Sequence, residues 1–155
     1  MGSSLRAFID TNVILKHLSG KVDLLDIKKK FKMYINVVVF SEVFMVYLKA
    51  ITGEKSFTLK HNPRLIMNKE KELYELFRLL KTFEHLEIKE DVKNIAFDFI
   101  AKFGLLPNDA LILATCKFYN IKYLISFDSD LRDACKKVDI TLLGDATELK
   151  NFLNP

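Results

Sequence analysis

The stretch "AFIDTNVIL", residues 7–15, puts an aspartate between two runs of core-forming side chains. The apolar residues before Asp10 read as a strand, and those after it as a helix. A carboxylate at the junction of two buried elements is costly unless it is compensated. Its position is nonetheless meaningful. In an open parallel sheet, ligands bind beyond the carboxyl ends of the strands, and Asp10 stands at such an end.

Outward from Asp10, short β-rich runs alternate with longer helical patterns. Strands are expected at 6–9, 33–36, 85–89, 122–127 and 139–143. Helices are expected at 11–20, 22–31, 37–53, 68–83, 90–104, 106–120 and 130–138, with a final turn or two over 145–153. Gly20 and Gly53 are plausible helix stops, Asn108 is a candidate cap, and Asp109 lies in the first turn that follows it. Residues 54–62 read as polar and irregular, punctuated by Pro63. Strands separated by helices indicate a single three-layer α/β/α domain over residues 5–153, built on a mostly parallel sheet of about five strands. Met1 to Ser4 (MGSS) reads as an expression remnant or a loose tail.

The composition fits that architecture. Of 155 residues, 50% are hydrophobic and 28% charged, an ordinary globular balance with enough chain for one core. No apolar run approaches the roughly 18 residues needed to span a bilayer, and no signal-peptide layout is present. Cys116 and Cys135 lack CxxC spacing and read as two buried reduced thiols, so a cytoplasmic location without membrane association is expected. The net charge is +4 with a pI near 9.0, which permits attraction to nucleic acid. Its lysines gather in "KKKFK" (28–32) and around "LKHNPR" (59–64). Lys28, Lys29, Lys30, Lys32, Lys60 and Arg64 are therefore the candidate nucleic-acid contacts.

Four acids map to one end of the expected sheet. Asp10 follows the first strand, and Asp128 follows the fourth, with Asp130 two residues on. Glu42 falls in the opening turns of the helix after the second strand. Asp109 opens a helix antiparallel to the strand it feeds, so its end of that helix returns to the carboxyl edge. Converging carboxylates repel one another and stay protonated unless a cation is present. All-oxygen donors suit Mg²⁺ or Mn²⁺, one ion or two. His17, His61 and His85 share no metal-ligand spacing; His17 reads as a helix-surface or partly packed residue and His85 as a strand-end residue.

"FIDTNVIL", "FSEVF", "PNDALILATC" and "LISFDSDL" together resemble the four acidic motifs of the PIN domain, in the same order and over nearly the whole chain. The resemblance implies a divalent-metal-dependent endoribonuclease that leaves 5′-phosphate and 3′-hydroxyl ends. It makes Asp10 and Asp109 central ligands, with Asp128 and Glu42 completing the shell directly or through water. Asp130 matches a less regular extra acid. Ser126 stands where the family often has Ser or Thr near the metal, and Asn12 matches an Asn that braces the first Asp. No histidine is placed as a general base, so a water activated by the ion is the expected nucleophile.

The family includes toxins of toxin–antitoxin pairs and RNA-processing nucleases; the segment 53–68 is longer and more basic than in a minimal toxin. A catalytically silent RNA- or protein-binding module is the third reading. A haloacid-dehalogenase-like phosphatase would need an acid at position 12, which is Asn12. A receiver domain would need an acceptor Asp after the third strand, where the chain has "EIKED". Finally, the apolar width of helix 68–83 and the outlying Phe97 exceed what one core requires. They predict an exposed patch that pairs with a second copy in a homodimer or takes an antitoxin helix.

Overall fold

The computed structural model describes residues 5–155, so the reading of Met1 to Ser4 lies outside the described residues. Five strands form one wholly parallel sheet: β1 (Leu5–Ile9), β2 (Phe31–Asn36), β3 (Glu84–Leu86), β4 (Tyr123–Ile125) and β5 (Thr141–Leu143), in the order β3-β2-β1-β4-β5. Among the described residues ten helices connect and cover them: α1 (Thr11–Leu18), α2 (Leu24–Lys28), α3 (Val37–Thr52), α4 (Ser56–His61), α5 (Pro63–Met67), α6 (Glu70–Leu80), α7 (Glu90–Phe103), α8 (Pro107–Phe118), α9 (Arg132–Lys137) and α10 (Ala146–Leu153). From β1 the chain steps outward through β2 to β3, then returns to the other side of β1 for β4 and β5. The switch point therefore lies between the carboxyl ends of β1 and β4, where a ligand crevice is expected.

Burial explains the central strands. Ala7, Phe8, Ile9, Ile35, Leu124 and Ile125 are fully buried, as both faces of a parallel sheet under helices should be. Gly53 and Gly104 stop α3 and α7 in the left-handed conformation that costs glycine least. Among the described residues no helix is long and apolar enough to cross a membrane.

Several boundaries differ from expectation, each for a tertiary reason. The second helix was expected to reach residue 31, but Phe31 opens β2 instead. It pairs with Leu5 and packs its ring 5.3 Å from both Tyr123 and Phe152. The third strand stops at Leu86 because Asn36, its partner, is the last residue of β2. The fourth gives up Ser126 and Phe127 to the loop beyond the sheet, and the fifth starts late because Asp139 turns with φ 60°. The span 54–62, expected to be irregular, holds α4 and leads into α5, with Pro63 at the first helical position and Leu59 buried. Asn108 is not the cap of α8: Leu106 holds that place in an extended conformation and Pro107 begins the helix.

Candidate active site

Asp10 leaves β1 at the switch point, fixed by its own N–H donating to the Ile125 carbonyl at 3.0 Å. Its side chain is 7% exposed and well satisfied. Oδ1 accepts from the Thr11 N–H at 2.8 Å, which caps α1, and Oδ2 accepts from the Ser126 hydroxyl at 2.7 Å. Ser126 Oγ in turn accepts from the Asp128 N–H at 3.2 Å. Asn12 ties the same two chain segments together: its Oδ1 accepts from the Phe127 N–H at 3.0 Å, and its Nδ2 reaches Ser126 Oγ at 3.5 Å. The brace expected of Asn12 therefore acts on Asp10 through Ser126 and the loop after β4. Asp128 caps the 3₁₀ turn at Ser129–Leu131 by accepting from the Asp130 N–H at 3.0 Å.

Glu42 and Asp109 arrive from α3 and α8. Burial first, then the charges of Asp10 and Asp109, raise the Glu42 carboxyl above its ordinary value. Asp109 is pushed up to about 6, by burial and then by Asp128, Asp10 and Asp130. Asp10 is raised by burial and by Asp128, against the opposing hydrogen bonds from Ser126 and Thr11. The fold thus brings all five acids into one electrostatic neighbourhood.

Two buried residues that sequence reasoning did not single out position the helices. Asn36, fully buried at the end of β2, accepts from the Val38 and Val39 N–H groups and so caps α3. Its Nδ2 donates to Thr115 Oγ1 at 2.9 Å, and that hydroxyl donates to the Leu111 carbonyl within α8. One polar bracket therefore sets the helix of Glu42 against the helix of Asp109. The available signal was an Asn directly before a helix, a strong capping type.

The donors suit a hard cation. Every candidate ligand is an oxygen, and the mutual repulsion of the carboxylates is relieved by a positive charge among them. The buried Oγ1 of Thr11 has no hydrogen-bond partner of good geometry within the protein, and the hydroxyl lies beside Glu42, where it offsets part of that acid's rise. Among the described residues, no three His, Cys, Asp or Glu side chains close tightly enough to cage an ion unaided. An all-oxygen crevice of this kind is compatible with a hard divalent cation that keeps several of its waters and binds through one or two carboxylates.

The basic candidates do not join the acids as a group. Lys28 and Lys32 flank the start of β2, at the amino edge of the sheet and a strand length of ~17 Å from the carboxyl edge. Lys29 pairs with Asp26, Lys30 donates to the Phe152 carbonyl, and Lys32 lies 3.9 Å from Glu84. Lys60 and Arg64 are exposed on α4 and α5. The histidines serve local structure: His17 Nδ1 accepts from the Leu24 N–H, and His85 Nε2 meets the Leu80 carbonyl. Cys116 and Cys135 are buried free thiols, and burial pushes Cys135 up to about 12.

Residues 7–137 match the PIN domain family model. The chain belongs to the PIN domain family. It is 36% identical over 132 residues to Ribonuclease VapC2 of Methanocaldococcus jannaschii, covering 82% of this chain and 87% of that protein. Ribonuclease VapC6 of the same organism is 30% identical over 149 residues, covering 88% and 95%. PIN-fold likeness extends to solved structures. A toxin–antitoxin complex from Klebsiella pneumoniae aligns at TM-score 0.57 and 22% identity, covering 81% of this chain and 89% of that one. VapBC2 from Rickettsia felis, bound to a DNA fragment from its promoter, aligns at TM-score 0.61 and 16% identity, covering 89% and 97%.

Proposed function

We propose that this PIN domain is a divalent-metal-dependent endoribonuclease that hydrolyses RNA phosphodiester bonds, and that it is the toxin of a toxin–antitoxin pair. The observation that carries the reading is the crevice between β1 and β4, where Asp10, Glu42, Asp109 and Asp128 act on one another electrostatically. The names of the relatives, both ribonucleases, support the substrate class.

In this reading Asp10 and Asp109 hold Mg²⁺ or Mn²⁺, with Glu42 and Asp128 completing the shell directly or through water. The bound ion would supply Lewis acidity and charge neutralisation at the scissile phosphate. Ser126 fixes the turn of the Asp10 carboxyl by donating to Oδ2, which offsets part of the rise that burial causes. Asn12 keeps the β4 loop, and with it Asp128, against α1. Asp130, exposed at the rim, adds negative charge beside Asp109.

The partner surface is a groove of about 550 Å³ among α3, α5 and α6, lined by Phe44, Ile66, Met67, Leu73, Tyr74 and Phe77. Tyr74 is 58% exposed there. We assign it to protein contacts, a homodimer and an antitoxin segment, since exposed apolar patches of this kind commonly mark protein–protein interaction sites. The toxin–antitoxin complexes among the fold neighbours support the antitoxin reading.

The test is cleavage of a mixed-sequence RNA with Mg²⁺, with Mn²⁺ and with chelator, in the parent chain and in Asp10→Asn. Cleavage should need the metal and vanish in the variant while its circular dichroism is unchanged. Full activity in Asp10→Asn would refute the site.

A further inference from the structure

A second cavity lies on the same edge of the sheet as the acids. It has a volume of about 580 Å³, within the range of small-molecule pockets, and is formed by Val37 and Phe40 of α3 with residues 85–89 at and after β3. The register fixes where it stands. Phe8 pairs with Tyr34, which puts Asp10 level with Asn36, and Asn36 pairs with Leu86. Leu86 is therefore two strand spacings, about 10 Å, from the backbone of Asp10 along the carboxyl edge. That is within reach of a nucleotide neighbouring one whose phosphate lies at the acids.

The lining has the chemistry of a nucleobase site. The Phe40 and His85 rings meet at 62° with centroids 6.3 Å apart, forming an aromatic corner, and Leu86 and Ile88 add apolar surface. His85 Nε2 lies 2.8 Å from the Leu80 carbonyl, which can only accept. Nε2 is therefore the donor there, and in the neutral ring Nδ1 is free to accept an N–H from a base edge. Glu87 and Lys89 also line it, one acid and one base, so its formal charge is balanced. Val37 is 61% exposed in the first turn of α3, where a buried-core role does not account for it.

We propose that this pocket receives a base of the RNA strand cleaved at the four carboxylates, with Phe40 and His85 as its aromatic walls and His85 Nδ1 as its polar reader. The inference rests on the ribonuclease reading for its substrate, but binding can be measured without cleavage.

Amide NMR of the full chain is recorded while each of the four ribonucleoside monophosphates, and separately inorganic phosphate, is added. The nucleotides should shift Val37, Phe40 and residues 85–89, unequally among the four bases, and inorganic phosphate should not. Val37→Glu adds a carboxylate at the pocket mouth in a helix position that favours acids, so it should fold. It should abolish those shifts, and His85→Ala should equalise the four bases. In cleavage assays both variants should raise KM about tenfold, the scale of one lost base stack, and leave kcat within about twofold. Absent shifts, equal shifts with inorganic phosphate, or an unchanged KM would overturn the pocket. Nucleotide shifts at these residues in a chain that cleaves no RNA would sustain the pocket and overturn the ribonuclease reading instead.

Discussion

Replacing Asp109 with Asn separates electrostatic strain in the acid crevice from its structural role. Without metal, the Asp109 carboxyl is carried from 3.8 to about 6, by burial and then by Asp128, Asp10 and Asp130. A raised folded value means that folding favours the protonated form. Its contribution is complete below about pH 4 and is lost as pH climbs through the folded value. A rise of this size corresponds to at most ~3 kcal/mol. Asp109 is only half-buried, and solvent screening brings that to about 1–2 kcal/mol. The variant also loses an acid from the first turn of α8, which costs up to about 0.5 kcal/mol. Asp109→Asn should therefore be more stable than the parent by ~1 kcal/mol near pH 8 in chelator, or roughly 2–4 °C in Tm, and no more stable near pH 4. Thermal unfolding across that range is the assay. Mg²⁺ at about ten times its Kd should then stabilise the parent by ~1.4 kcal/mol and the variant much less. Parallel stability curves for the two proteins from acid to alkaline pH would refute the reasoning.

Asn36→Ala should cost about 2–3 kcal/mol, because it removes the α3 cap and leaves the buried Thr115 hydroxyl without its donor; a Tm drop under about 2 °C in calorimetry would show that the bracket is not structural. Replacing Lys28, Lys29 and Lys30 with Ser should leave binding of a hexaribonucleotide at the acids unchanged, since ~17 Å exceeds the Debye length at physiological salt. The same change should flatten the salt slope only for RNA long enough to wrap to the amino edge, and an altered hexamer slope in fluorescence anisotropy would contradict this. Sedimentation equilibrium at micromolar concentration should give a dimer mass, and Tyr74→Lys in the apolar groove should shift it towards monomer; a monomer mass for the parent would rule out the pairing.

The sequence alone determined the α/β class, the five strands and most of the helices between them, and it singled out four acids as candidates. These properties are local. A buried strand reads as an apolar run, a covering helix as a 3.6-residue period, and an acid at the end of a strand stands out because its flanks are apolar. The same locality explains the errors. Phe31 follows three lysines in a helical pattern, and only pairing with Leu5 and packing on Tyr123 and Phe152 makes it the start of β2. Tertiary structure also decided what the motifs do. Nothing between residues 36 and 115 in sequence announces that Asn36 and Thr115 share a hydrogen bond. Nor could a run of lysines reveal that it faces away from the acids, since that depends on which edge of the sheet the strand enters. The crevice itself exists because β4 returns beside β1. That return places Ser126 against Asp10 across 116 residues of chain: the motif around Ser126 implied that it stands near the acids, but strand order fixed which carboxylate it holds.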